Sequence, residues 1–116
     1  MISVEFYYEG EQVKGFVAQG HAGSAPQGED LVCASISALT QTALLGLDAF
    51  LTKKPIWHMD QKGYLECWLP ENLSVAEFKK AEIIIGTLEL GLQSIAESYG
   101  RYLQVRKRRW TPCCLK

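Results

Sequence analysis

The chain has 116 residues, a net charge of −1, 47% hydrophobic residues and 22% charged ones. That length makes one domain, able to bury roughly two-thirds of the surface its unfolded form exposes and so to fold without staples. The balance excludes disordered chains. No run of about 18 consecutive apolar residues argues for a membrane span, and Met1-Ile2-Ser3-Val4-Glu5 has neither the basic start nor the apolar run of a signal peptide, so the expected compartment is the cytoplasm, with no membrane partner.

In chain order, Val4, Phe6 and Tyr8 alternate with polar neighbours, Glu9-Gly10-Glu11 breaks the run, and Val13, Gly15 or Phe16, and Val17 resume it, which predicts a hairpin. His21 falls just past its second strand. From Leu31 onward, Val32, Ile36, Leu39, Ala43, Leu47 and Phe50 recur at helical spacing, widened by Leu44 and Leu51. Asp30 is the expected N-cap, which puts Cys33 in the first turn. Pro55 ends the linker. Ile56 to Met59 and Tyr64 to Leu69 flank Asp60-Gln61-Lys62-Gly63 as a second hairpin. Ser74 and Glu77 have the spacing of a capping box opening a helix with Phe78, Ala81, Ile84, Ile85, Leu88, Leu92 and Ile95 inward and Gly100 at its C′ position. Arg101 to Val105 adds a last strand. The order ββαββαβ predicts an α+β two-layer sandwich, a mixed or antiparallel sheet with two helices on one face.

Charge is divided along the chain. Before residue 101, thirteen acidic residues against six lysines leave −7; from Arg101 on, six basic residues face no acid. The expected division is a domain over 1–106 and a basic tail over 107–116, the tail solvated or folded back on the acidic body. Contact of that tail with RNA phosphates, with Trp110 stacking, stays an open alternative.

Four cysteines do not make a disulfide framework. Cys67 alternates with Leu65 and Leu69 on one strand face and reads as core. Cys113 and Cys114 are adjacent near the end, and with two histidines elsewhere no local tetrahedral zinc set can be assembled, so no metal or other cofactor is expected. His58 alternates within a strand and reads as structural or surface.

Chemistry concentrates between the first hairpin and the first helix, in Gly20-His21-Ala22-Gly23-Ser24-Ala25-Pro26-Gln27-Gly28-Glu29-Asp30-Leu31-Val32-Cys33. A thiol attacks as its thiolate, favoured by a nearby imidazole and by a helix N-terminus. A free cysteine of pKa about 8.5 is a few per cent thiolate at pH 7. A helix end offers roughly 0.3–1 kcal/mol against the roughly 2.7 kcal/mol that two units require, so His21 must supply most of the activation. Asp30 opposes it if it lies beside the thiol and helps if it holds the imidazole, which leaves it either a cap or an orienting third member. Gly20, Gly23 and Gly28 frame a small-residue loop, readable as a lid or as an ordinary connection.

The segment Gly-His-Ala, the small-residue loop and Asp-Leu-Val-Cys-Ala, followed by Ser37-Ala38-Leu39-Thr40-Gln41-Thr42-Ala43, resembles the ribosomal-processing cysteine protease (Prp) family from Met1 to about Val105. The resemblance implies a dimeric endopeptidase that removes an N-terminal extension from a large-subunit ribosomal protein. It implies His21 as general base, Cys33 as nucleophile, Asp30 as an orienting or structural carboxylate, and Ser37 as a lining residue. First-turn amides near Cys33 are candidate oxyanion donors. Residues 107–116 extend past the resemblance. Outside it stand two further readings of the same residues: a non-catalytic ribosome- or RNA-associated module that holds an anion at the helix end, and a thiol redox sensor.

Overall fold

The computed structural model describes residues 1–20 and 27–112, and for 27–30 the backbone alone. The order is β1 (Ile2–Glu9), β2 (Gln12–Gln19), α1 (Gln27–Phe50), β3 (Ile56–Met59), β4 (Tyr64–Trp68), α2 (Val75–Tyr99) and β5 (Leu103–Arg109). One sheet carries all five strands in the order β3-β4-β2-β1-β5, parallel between β1 and β5 and antiparallel elsewhere.

Alternation puts one face of this sheet against the helices. Val4 lies opposite Ala18, and Phe6 opposite Phe16; Leu65 and Cys67 continue the same rows into β4, and Leu103 and Val105 into β5. These pack on Val32, Ile36, Leu47 and Leu51 of and just after α1, and on Ala81, Ile85, Leu88 and Leu92 of α2. The double phase of β2, Val13 and then Phe16, has a physical cause. The register shifts between Tyr7 and Tyr8 so that Tyr7 faces Gly15 and Tyr8 faces Val13, leaving Lys14 as the extra residue of a bulge that returns Val13 to the core. On the far face the Trp68 ring lies over Gly15, where a Cβ would come within 2.7 Å of it, and the Tyr7 ring packs beside Trp68 at 5.2 Å.

Several sequence expectations shift. α1 starts at Gln27 rather than after Asp30, so Asp30 is a first-turn residue and not the N-cap, and Cys33 falls in the second turn. In sequence, acidic residues such as Glu29 and Asp30 are favoured in the first turn of a helix as well as at its cap. Gly100 caps α2 in the right-handed conformation, φ −60°, because the chain turns on to let the Tyr102 amide donate to the Tyr99 carbonyl at 2.9 Å. Residues 107–109 belong to β5 rather than to a tail. Arg108 meets the Glu5 carboxylate at 2.8 Å and Lys107 lies 4.0 Å from Glu89, so this basic run is folded back on the acidic body. Residues Leu31–Phe50 reach the length and hydropathy of a membrane-crossing helix. Val32, Ile36, Ala43, Leu44 and Leu47 of this stretch enter a core shared with α2 and the sheet, while Leu31, Leu45 and Phe50 are exposed.

The capping box forms by half. Ser74 Oγ accepts from the Glu77 amide at 3.1 Å, while the Glu77 carboxylate accepts from the Thr52 amide instead of returning to Ser74. That bond, more than the neighbouring Lys80, holds the Glu77 carboxyl below the usual range. It also ties the end of the α1 region to the start of α2.

Candidate active site

Cys33 projects from the second turn of α1, half-buried against the core. α1 is helical there because Val32 and Ile36, four apart, are both buried and seat this stretch on the sheet. Under it lies a cavity of about 200 Å³ between α1 and the ends of β2, β4 and β3. Gly20, Ser37, Thr40, Met59 and Tyr64 line it with Cys33. Ser37 is exposed on the next turn of α1. Thr40 is buried, and its hydroxyl donates to the Ile36 carbonyl at 2.9 Å, so it is satisfied within the helix.

Gly20 fixes where β2 hands over to His21. Its φ is +109°, a conformation side chains rarely adopt, and an added Cβ would stand 2.5 Å from the Met1 carbonyl oxygen. Its amide donates to the Gly63 carbonyl at 3.1 Å. That ties the exit of β2 to the β3–β4 turn, which Asp60 holds by accepting from the Lys62 amide at 2.8 Å. Tyr64 borders the same wall where β4 begins, but its ring lies beside His58 on the sheet face away from the helices. Burial and, next, the Glu66 carboxylate to which it donates push its phenol up to about 12, so it stays neutral at ordinary pH.

The sequence-predicted residues divide accordingly. Gly20, Cys33 and Ser37 come together on one cavity. Gly28 lies in the first turn of α1 and the Asp30 backbone in the same turn. His21, Gly23 and the rest of loop 21–26 lie outside the described residues, as do Cys113 and Cys114 and the Asp30 side chain. His58 is exposed on β3 opposite Glu66, which places it on the sheet face away from the helices and from Cys33. Cys67 is fully buried and desolvation pushes its thiol up to about 12, which leaves it inert as a nucleophile. Sequence reasoning missed Met59, Asp60, Gly63 and Tyr64 as cavity wall. The turn chemistry of Asp60-Gln61-Lys62-Gly63 was visible, but its nearness to Gly20 depends on β4 pairing with β2.

A thiol on a cavity wall, next to the residue that leads into a histidine, suits attack on a carbonyl held in that cavity. Comparison with known proteins gives both a family and a fold. The family model described as cysteine protease Prp matches residues 1–104. The ribosomal processing cysteine protease Prp of Bacillus subtilis (strain 168) is 30% identical over 91 residues, covering 78% of this chain and 81% of that protein. Among solved structures, SMU.848 from Streptococcus mutans superposes with a TM-score of 0.82 at 23% identity, covering 95% of this chain and 96% of its own. The essential ribosomal processing protease Prp from S. aureus, in complex with a substrate peptide, does so with a TM-score of 0.81 at 23% identity, covering 93% and 100%. At such identity these structures speak for the fold, the same α+β sandwich. The match of the family model along nearly the whole chain, joined to the relative in Bacillus subtilis, shows that this chain belongs to the cysteine protease Prp family.

Proposed function

We propose that the chain is an endopeptidase that removes the N-terminal extension of a large-subunit ribosomal protein. The observation that carries this reading is the shared cavity. Cys33 lines it, Gly20 lines it immediately ahead of His21, and the other histidine of the chain stands on the opposite sheet face. Cys33 Sγ attacks the scissile carbonyl carbon while His21 takes the thiol proton. His21 then delivers that proton to the leaving amine as the C–N bond breaks, leaving a thioester. Water, deprotonated by His21, hydrolyses the thioester and restores the thiol.

With α1 starting at Gln27, Cys33 sits beyond the first turn, where the influence of a helix end has fallen off. First-turn amides therefore lose their claim as neighbours of the nucleophile, and His21 carries more of the activation. Asp30, in the helix ahead of Cys33, is proposed as the carboxylate that orients it.

The same reading makes the protein a cytoplasmic homodimer. Leu31, Leu45, Ile83 and Leu90, exposed on the two helices, supply apolar surface for such a pairing.

The test is incubation with a synthetic peptide spanning the junction between extension and ribosomal protein, read by mass spectrometry. One cut is expected, abolished by Cys33→Ser with the unfolding temperature unchanged; cleavage that survives Cys33→Ser refutes the nucleophile. Iodoacetamide labelling of Cys33 at pH 7, followed by peptide mapping, should slow at least fivefold in His21→Ala. Binding of RNA unaffected by loss of Cys33, with no cleavage, would favour the non-catalytic module.

A further inference from the structure

β3 is the outermost strand, and among the described residues it pairs with β4 alone. One bond fixes which of its backbone groups are in use. The Asp60 amide donates to the Tyr64 carbonyl at 3.0 Å, and that pair continues the register in which His58 faces Glu66 and Ile56 faces Trp68. Bonded and non-bonded pairs alternate in an antiparallel ladder. Ile56 and His58 therefore direct their amides and carbonyls to β4, and Trp57 and Met59 direct theirs to the open edge. Trp57 and Met59 stand opposite Cys67 and Leu65, both core residues, so their side chains belong to the face that carries the helices. They remain 49% and 43% exposed, and Met59 lines the cavity of Cys33.

We infer that this edge receives the substrate as an added strand. An extended peptide with apolar residues at alternate positions pairs with the amides and carbonyls of Trp57 and Met59 and runs from the edge into the cavity, where Cys33 meets the scissile bond. The inference rests on the proteolytic reading above and says how its substrate is held. Main-chain bonds to a sheet edge supply affinity, and side chains at every second position supply selectivity. Four residues of β3 cover about 13 Å at about 3.3 Å per residue, so about four substrate residues on one side of the cleaved bond engage the edge. Those turned to the helix face meet Trp57 and Met59; those between them face away from the helices.

Shortness is the protection this four-residue edge has; within Ile56–Met59 it carries no lysine, no proline and no bulge, and Ile56, Trp57 and Met59 are exposed on it. An edge left this open beside a cavity that holds a nucleophile suits a transient strand partner.

The experiment uses the junction peptide and a series of copies each N-methylated at one amide, with affinities measured on the Cys33→Ala protein and cleavage measured on the unaltered one. Methylation at two amides, two residues apart and on one side of the cleaved bond, should weaken binding at least tenfold. The intervening amide should tolerate it. Trp57→Ala should raise KM severalfold and leave kcat within about twofold. Losses without a two-residue period, or a Trp57→Ala protein with unchanged KM, overturn the docking edge. Normal cleavage alongside that outcome leaves the protease reading intact. Period-two binding without any cleavage by the unaltered protein upholds the edge and removes the protease.

Discussion

The β1–β2 hairpin runs eight residues a side through the middle of the sheet and buries Val4, Phe6 and Phe16 completely. The β3–β4 hairpin has a strand of four residues, all exposed, joined to one of five with buried Leu65, Cys67 and Trp68. The first hairpin holds the fold and ends at Gly20, where the backbone leaves no room for a side chain beside the Met1 carbonyl. The second contributes one strand to the core and spends the other on surface. Stability and substrate handling are thus divided between two elements of the same type. β4 joins them, because it pairs with β2 on one side and β3 on the other.

That division can be broken experimentally. Phe16→Ala should cost about 3–5 kcal/mol in chemical denaturation, and a loss below about 1 kcal/mol would mean the first hairpin is not the centre of the core. Gly20→Ala forces a strained φ and drives a Cβ onto the Met1 carbonyl, at about 1–3 kcal/mol of strain. Peptide cleavage, measured well below the unfolding temperature, should fall by more than the stability loss explains; cleavage equal to the unaltered protein would detach the β2 exit from the site. Ser74→Ala removes the side-chain acceptor for the Glu77 amide and should cost about 1 kcal/mol, with cleavage unchanged. Trp57→Ala should leave stability within about 0.5 kcal/mol. A larger loss there would show that the second hairpin also serves the core.

How much of this the sequence disclosed depended on range. The helix periodicities of α1 and α2, the alternation of β1, the Ser74 cap and the core position of Cys67 are local patterns, and the structure bears them out except at Phe50, which is exposed where α1 ends and Leu51 takes the core position. The start of α1 was misread because Asp30 is as good a first-turn residue as it is a cap. The phase of β2 was ambiguous because a bulge at Lys14 interrupts the alternation. The basic residues from Lys107 on read as a tail because their partners, Glu5 and Glu89, lie far back in the chain. Glu89 was invisible as a core residue: at its buried helix position Tyr8 donates to one carboxylate oxygen at 2.7 Å and Lys107 lies 4.0 Å from the other. At the candidate site, His21 and Cys33 were legible as residue types joined by one loop. The wall of Met59, Asp60, Gly63 and Tyr64 was not, since strand order across a sheet leaves no mark on local sequence.

The parallel pairing of β1 with β5 has a consequence in time. Ile2 stands beside Leu103, and the Ile2 amide donates to the Tyr102 carbonyl at 2.8 Å. Closing a loop of about 100 residues costs about 4 kcal/mol of chain entropy before any contact rewards it. During synthesis β1 therefore waits with one edge bare until the last strand has left the ribosome. Ile2 lines the Cys33 cavity and Met1 abuts Gly20, so pairing with β2 seats this part of the wall early and β5 braces it late. Until β5 arrives, the strand that carries Ile2 is held from one side only.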